Sequence, residues 1–136
     1  MSSPLSAPRI LLFADHRFRD APVLSAIKVE LERFVPALDV RVISFDLWQP
    51  AIELFKPHIV VLNHLHGKRN QTIAEWVKRH DGKVVILPTE GRPNTYDQMV
   101  WAANEWHHKL CDLYLCWSSV MANMIKDVAV EVVGCP

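Results

Sequence analysis

A chain of 136 residues, half of them apolar and 22% charged, has the length and balance of one globular domain able to bury a sizeable core, which excludes a disordered or fibrous protein. Fifteen basic side chains against fifteen acidic ones give no whole-domain field, so neither nucleic acid nor an anionic membrane surface is expected as a partner. No apolar stretch approaches the roughly 18 residues of a membrane span, and no basic region followed by an apolar one opens the chain as a signal peptide would.

The Ser/Pro/Ala-rich residues 1–8 read as a disordered lead-in and residues 9–136 as a single domain, expected in the cytoplasm. Arg9 to Ala14 is an apolar run of strand length. It is followed by Ala21 to Phe34, where Val23, Leu24, Ile27, Leu31 and Phe34 repeat at helical spacing. Val40 to Phe45 is β-branched and partly alternating, a second strand. Pro50 to Phe55 predicts a short helix opened by proline and closed by Pro57. His58 to Asn63 is the third strand, Asn70 to His80 a helix, and Lys83 to Leu87 the fourth strand, entered through the Asp81-Gly82 turn. Tyr96 to Leu110 predicts a helix, Asp112 to Trp117 a fifth strand, Ser119 to Lys126 a helix capped by Ser118 or Ser119, and Val128 to Val133 a sixth strand.

Short Val/Ile/Leu runs alternating with helices predict an α/β domain: a doubly wound, mostly parallel, six-stranded Rossmann-like sheet with helices on both faces. The three cysteines, Cys111, Cys116 and Cys135, are odd in number and lie in or beside apolar runs, so they read as buried free thiols. The spacing Cys-x4-Cys matches no zinc site.

In a doubly wound sheet the ligand crevice lies beyond the carboxyl ends of the strands, so chemistry is sought in the loops there. After strand 1, Asp15-His16-Arg17-Phe18-Arg19-Asp20 has no glycine, which argues against tight dinucleotide binding in this half; no cofactor is expected here. The cluster serves either an anionic or hydroxylated ligand or an internal cap and ion-pair network. After strand 3, His64 and His66 form a His-x-His pair without a third ligand at matching spacing, so no metal is expected. Gly67 lets the backbone approach a sugar or phosphate, with Lys68 or Arg69 supplying charge. After strand 4, Glu90 is delivered to the rim and followed by Gly91, Arg92 and Asn94. A carboxylate against an apolar strand end can rise toward neutrality and serve as a general base, or pair with Arg92, or cap the next helix. Ser118 is first an N-cap and second a hydroxyl for a phosphate or sugar. In the helix Tyr96 to Leu110, Trp101 and Leu110 share a packing stripe, while adjacent His107 and His108 cannot face one way.

Thr89-Glu90-Gly91, Asp112-Leu-Tyr-Leu-Cys-Trp-Ser118 and Val132-Val-Gly-Cys-Pro136 together resemble the order in bacterial surface-carbohydrate-biosynthesis proteins of the GT-B glycosyltransferase fold. Those carry an Asp/Glu-rich Glu-Gly turn, an Asp-x-Tyr/Phe-x-x-Trp-Gly segment and a Gly-x-Pro-Arg-x-Asp segment in their first Rossmann-like half. The resemblance covers about Lys83 to Pro136, and Ser118 stands where glycine is usual. It implies the N-terminal, mainly acceptor-binding half of a transferase that moves a sugar from a nucleotide-sugar donor to a carbohydrate acceptor in surface polysaccharide biosynthesis. The donor then belongs to a missing C-terminal domain, and this half alone is expected to be inactive. It makes Glu90 the first candidate for base or acceptor orientation, with Asp15 and His16 next. Arg17, His64, His66, Gly67, Gly91, Arg92, Asn94 and Ser118 are the candidate binders.

Two other readings stand beside it. One is a non-catalytic flavodoxin-like or receiver-like binding or regulatory module, although strand 3 ends at Asn63 and strand 5 at Trp117, where a receiver wants Asp and Lys. The other is a structural half that homodimerises through apolar surface.

Overall fold

The computed structural model describes residues 7–89 and 110–134. Six strands, β1 (Arg9–Ala14), β2 (Asp39–Ser44), β3 (Ile59–Leu62), β4 (Lys83–Ile86), β5 (Leu113–Cys116) and β6 (Ala129–Val132), form one sheet in the order β2-β1-β3-β4-β5-β6. Every adjacent pair is parallel, so the expected α/β, Rossmann-like sheet is present and parallel throughout. Among the described residues the helices are α1 (Asp20–Phe34), α2 (Trp48–Phe55), α3 (Lys68–Arg79) and the short α4 (Ser119–Ala122). The lead-in at residues 1–6, the stretch from Glu90 to Lys109, with most of the helix expected over Tyr96 to Leu110, and Cys135 and Pro136 lie outside the described residues.

The alternation of side chains along the strands builds two cores. Leu11, Phe13, Val60, Leu62, Val84, Ile86, Tyr114 and Cys116 pack against Ile52 and Phe55 of α2, Ile73, Ala74 and Val77 of α3, and Met121 of α4. Ile10, Leu12, Ala14 and Val40 face the other way, onto Leu24, Ile27 and Leu31 of α1. Helix α1 thus covers one face and α2 to α4 the other, which is what parallel strands need to bury both sides. Phe34, read as the end of the α1 apolar stripe, is instead 74% exposed and lies under the Arg33 guanidinium at 5.0 Å. One helical turn beyond Leu31 it has passed the edge of the sheet face.

Local chemistry sets the element ends. Helix α2 begins two residues earlier than proline alone suggests, after a 3-10 turn at Phe45–Leu47 in which Ser44 Oγ accepts the Asp46 N–H. Pro50 still falls in the first turn, where no intrahelical N–H is needed. Helix α2 ends at Lys56, in the left-handed region at φ 48°, just before Pro57. Gly82 is fixed by crowding, because a Cβ there would stand 2.6 Å from Val77 Cγ1.

Candidate functional site

The strand order reverses between β1 and β3, since β1 leads to β2 on one side and β3 continues the sheet on the other. That switch point opens a crevice at the carboxyl ends of β1 and β3. Asp15 follows β1 directly, and Asn63 and His64 follow β3. Arg69, in the first turn of α3, donates from Nη2 to Asp15 Oδ1 at 3.2 Å, and Asn63 Nδ2 lies 3.5 Å from Asp15 Oδ2. The Arg69 guanidinium lies over the Phe45 ring at 4.5 Å and 3.9 Å from Asp46, so contacts from the ends of β1 and β2 fix it. Asn63 is only 5% exposed, and its Oδ1 is buried without a hydrogen-bond partner among the described residues.

The loop after β1 is organised by Asp20. Its carboxylate is fully buried and accepts the backbone N–H groups of Asp15 at 3.0 Å and His16 at 2.8 Å, together with Arg19 Nε at 2.7 Å. Burial works to raise this carboxyl, but the Arg19 side chain, the His16 backbone and the Thr89 hydroxyl hold it below the ordinary carboxylate value. The consequence for ligands is direct. In a glycine-rich fingerprint the loop N–H groups are offered to a phosphate. Here two of them are already bound to an internal carboxylate.

Of the residues singled out after β1, Asp15 faces the crevice. His16 Nδ1 accepts the Arg19 N–H at 3.3 Å as part of the cap, and the exposed Arg17 lies over the Phe18 ring at 5.5 Å. After β3, the His64 and His66 rings stack with centroids 4.9 Å apart. His64 Nδ1 accepts the His66 N–H at 3.1 Å, which leaves the proton on Nε2. Asn70 donates to the His64 carbonyl at 2.8 Å, locking this turn onto α3. Gly67, at φ 84°, makes the turn into α3, and no atom lies within 4 Å of the Cβ it lacks. The left-handed backbone, rather than close approach, is what requires glycine here. Among the described residues no three His, Cys, Asp or Glu side chains gather as a metal site would need.

Ser118 accepts the Met121 N–H at 3.3 Å as the cap of α4 and sits at the end of β5, separated from β1 by β3 and β4. Glu90, Gly91, Arg92 and Asn94 lie outside the described residues, as does the pairing of Glu90 with Arg92. Thr89, just before Glu90, is described, and Pro88 before it accepts Trp117 Nε1 at 2.7 Å.

Asp20 fills the cap and ion-pair role that was one of two expected of the cluster after β1, whereas Asn63 was expected only as the end of a strand and Asn70 only as a helix start. Buried position is the property that distinguishes them, and for Asn63 only the strand order reveals that β3 borders β1. No family model, curated protein or solved structure matches the chain. The structure is a Rossmann-like α/β domain with a polar switch-point crevice.

Proposed function

We infer that the switch-point crevice binds an uncharged, hydroxylated ligand and that the chain supplies the acceptor-binding half of a glycosyltransferase. The observation that carries the ligand class is Asp20: its carboxylate takes the Asp15 and His16 N–H groups at 3.0 and 2.8 Å, so an anion entering there meets a negative charge rather than free donors. What remains open to a ligand is a sugar-like pattern of partners: the Asp15 carboxylate and the Arg69 guanidinium, backed by the buried Asn63 amide. Carboxylate, amide and guanidinium side by side suit hydroxyl groups, which both donate and accept.

On this reading a sugar hydroxyl of the acceptor attacks the anomeric carbon of a nucleotide sugar, the nucleotide leaves with the bonding pair, and a base removes the hydroxyl proton. Asp15, fixed by Arg69 and Asn63, orients the acceptor. Glu90 is the candidate base, carried over from the resemblance, and the donor is held by a second domain. The alternative, a non-catalytic flavodoxin-like binding module, draws support from the strand order, whose switch between β1 and β3 is the flavodoxin one. The occupied loop N–H groups count against the phosphate such a module would hold.

Saturation-transfer NMR on the chain, with neutral mono- and disaccharides on one side and uridine diphosphate on the other, tests this. Saccharide signals are expected, weakened about fivefold or more in Arg69→Ala. Saturation by the nucleotide and by no saccharide overturns the reading.

A further inference from the structure

A second concavity, of about 620 Å³, lies away from the switch point, between the outer strand β2 and helix α2. Its volume falls in the usual range of small-molecule sites, roughly 300 to 1,000 Å³. One wall is apolar. Leu47, Ala51 and Leu54 succeed one another at the spacing of a single helix face, and Ile43 of β2 faces them. Leu47 is 55% and Leu54 86% exposed, so the two ends of the stripe are open, while Ala51 between them packs on the core.

The other end is cationic. Arg9 and Lys56 line it, joined by Arg9 Nε donating to the Lys56 carbonyl at 2.9 Å, and neither has an acidic partner among the described residues. Arg41 and Asp39 also line the groove, Asp39 opposite Arg9 across the strands; they pair with each other at 3.2 Å, and the Arg41 guanidinium lies over Phe55 at 4.2 Å as part of the wall, so the lining keeps an excess of two positive charges. Leu11, opposite Arg41 across the strands, forms the floor. An apolar trough ending in two unmatched cations is complementary to a molecule with an alkyl body and one anionic head. Helix α2 has eight residues, about 12 Å of stripe at 1.5 Å per residue. That length suits a medium alkyl chain and is short for a docked protein helix.

We propose that this groove is a binding site for a medium-chain alkyl carboxylate, its chain along Leu47, Ala51 and Leu54 and its head on Arg9 and Lys56. The site is independent of the crevice between β1 and β3, with which it shares no residue named above.

The test titrates the full chain with decanoate below its micelle concentration, following backbone amide shifts by NMR, with decanol and decyltrimethylammonium as controls. Saturable shifts confined to Arg9–Leu11, Asp39–Ile43 and Leu47–Lys56 are expected, with decanol and the cation binding more weakly. Lys56→Asn, which tolerates the left-handed backbone there, is expected to weaken decanoate about threefold to tenfold, as the loss of an exposed-to-half-buried charged contact does. Leu54→Asp, at an exposed position that keeps the fold, removes binding. Shifts elsewhere, equal affinity for decanol, or unchanged binding in Leu54→Asp overturns the proposal. A concentration-dependent dimer that occupies the stripe, seen by sedimentation, overturns it too.

Discussion

Trp117 donates its indole N–H to the carbonyl of Pro88 at 2.7 Å, tying the end of β5 to the end of β4. Both residues stand just past their strands, on the rim where doubly wound sheets place ligands. Trp117→Phe keeps the ring and deletes the bond, leaving a half-buried carbonyl without that donor. A loss of about 1 kcal/mol is expected, the usual worth of one such bond. Urea unfolding measures it, and an unchanged midpoint at constant slope shows that the bond contributes nothing.

Acid should find two weak points, Asp20 and Asp112. For both, burial raises the carboxyl, yet hydrogen bonds and cations hold it below its ordinary value: Arg19, His16 and Thr89 around Asp20, Lys78, Val84 and Lys83 around Asp112. Asp112 accepts from Lys78 Nζ at 2.7 and 2.8 Å and from the Val84 N–H at 2.9 Å. A lowered value in the fold means that the native state binds fewer protons than the unfolded chain. This stability is complete above the unfolded carboxylate range, about pH 4, and is lost as pH falls through the folded values. Urea midpoints should therefore decline steeply below about pH 4. Asp20→Asn should flatten part of that decline and cost roughly 2 to 3 kcal/mol at neutral pH, because an amide cannot accept all three donors in a buried site. A decline equally steep in Asp20→Asn would assign the acid sensitivity elsewhere.

Asn63 offers a sharper separation of stability from binding. Its side-chain oxygen is buried and unpartnered among the described residues, and its amide nitrogen stands at a long 3.5 Å from Asp15. A buried polar atom without a partner costs about 1 to 3 kcal/mol, so Asn63→Leu, close to it in volume, is expected to leave stability unchanged or raise it by about 1 kcal/mol. The same change should weaken saccharide binding in the crevice, because Asp15 loses the amide beside it. Loss of stability together with retained binding would make Asn63 a structural residue.

The fold was legible where residues repeat regularly. The Val/Ile runs at Ile59–Leu62 and Lys83–Ile86 are buried parallel strands, and Leu24, Ile27 and Leu31 face the sheet as their spacing requires. Phe34 was not, because a helix stripe carries no mark of where the sheet beneath it stops. The crevice was half legible. Asp15, His64 and the charge at Arg69 follow from looking beyond strand ends. The partnership of Asp15 with Asn63 and Arg69 depends on β3 lying beside β1, and strand order is a long-range property that local periodicity does not encode. Asp20 shows the limit most plainly. As a sequence it is one more charge in a polar loop, and only its burial makes it the group that takes the loop N–H donors.

Burial pushes Cys111 and Cys116 up to about 11, and Cys116 is fully buried. The thiolate is the nucleophile, so at pH 8 each is ionised to about one part in a thousand, against roughly a quarter for a free thiol near 8.5. In a Cys135→Ser variant, reaction with a disulfide reagent should be slower than that of the unfolded chain by about tenfold to twentyfold, even before access is considered, since higher intrinsic nucleophilicity returns only part of the deficit. The pH profile discriminates further. A native thiol near 11 keeps gaining rate, about tenfold per pH unit, from pH 8 to 10, whereas one exposed by local opening levels off above about 9. A levelling profile would mean that the sheet around Cys116 opens before it reacts, and that burial rather than ionisation protects these sulfurs.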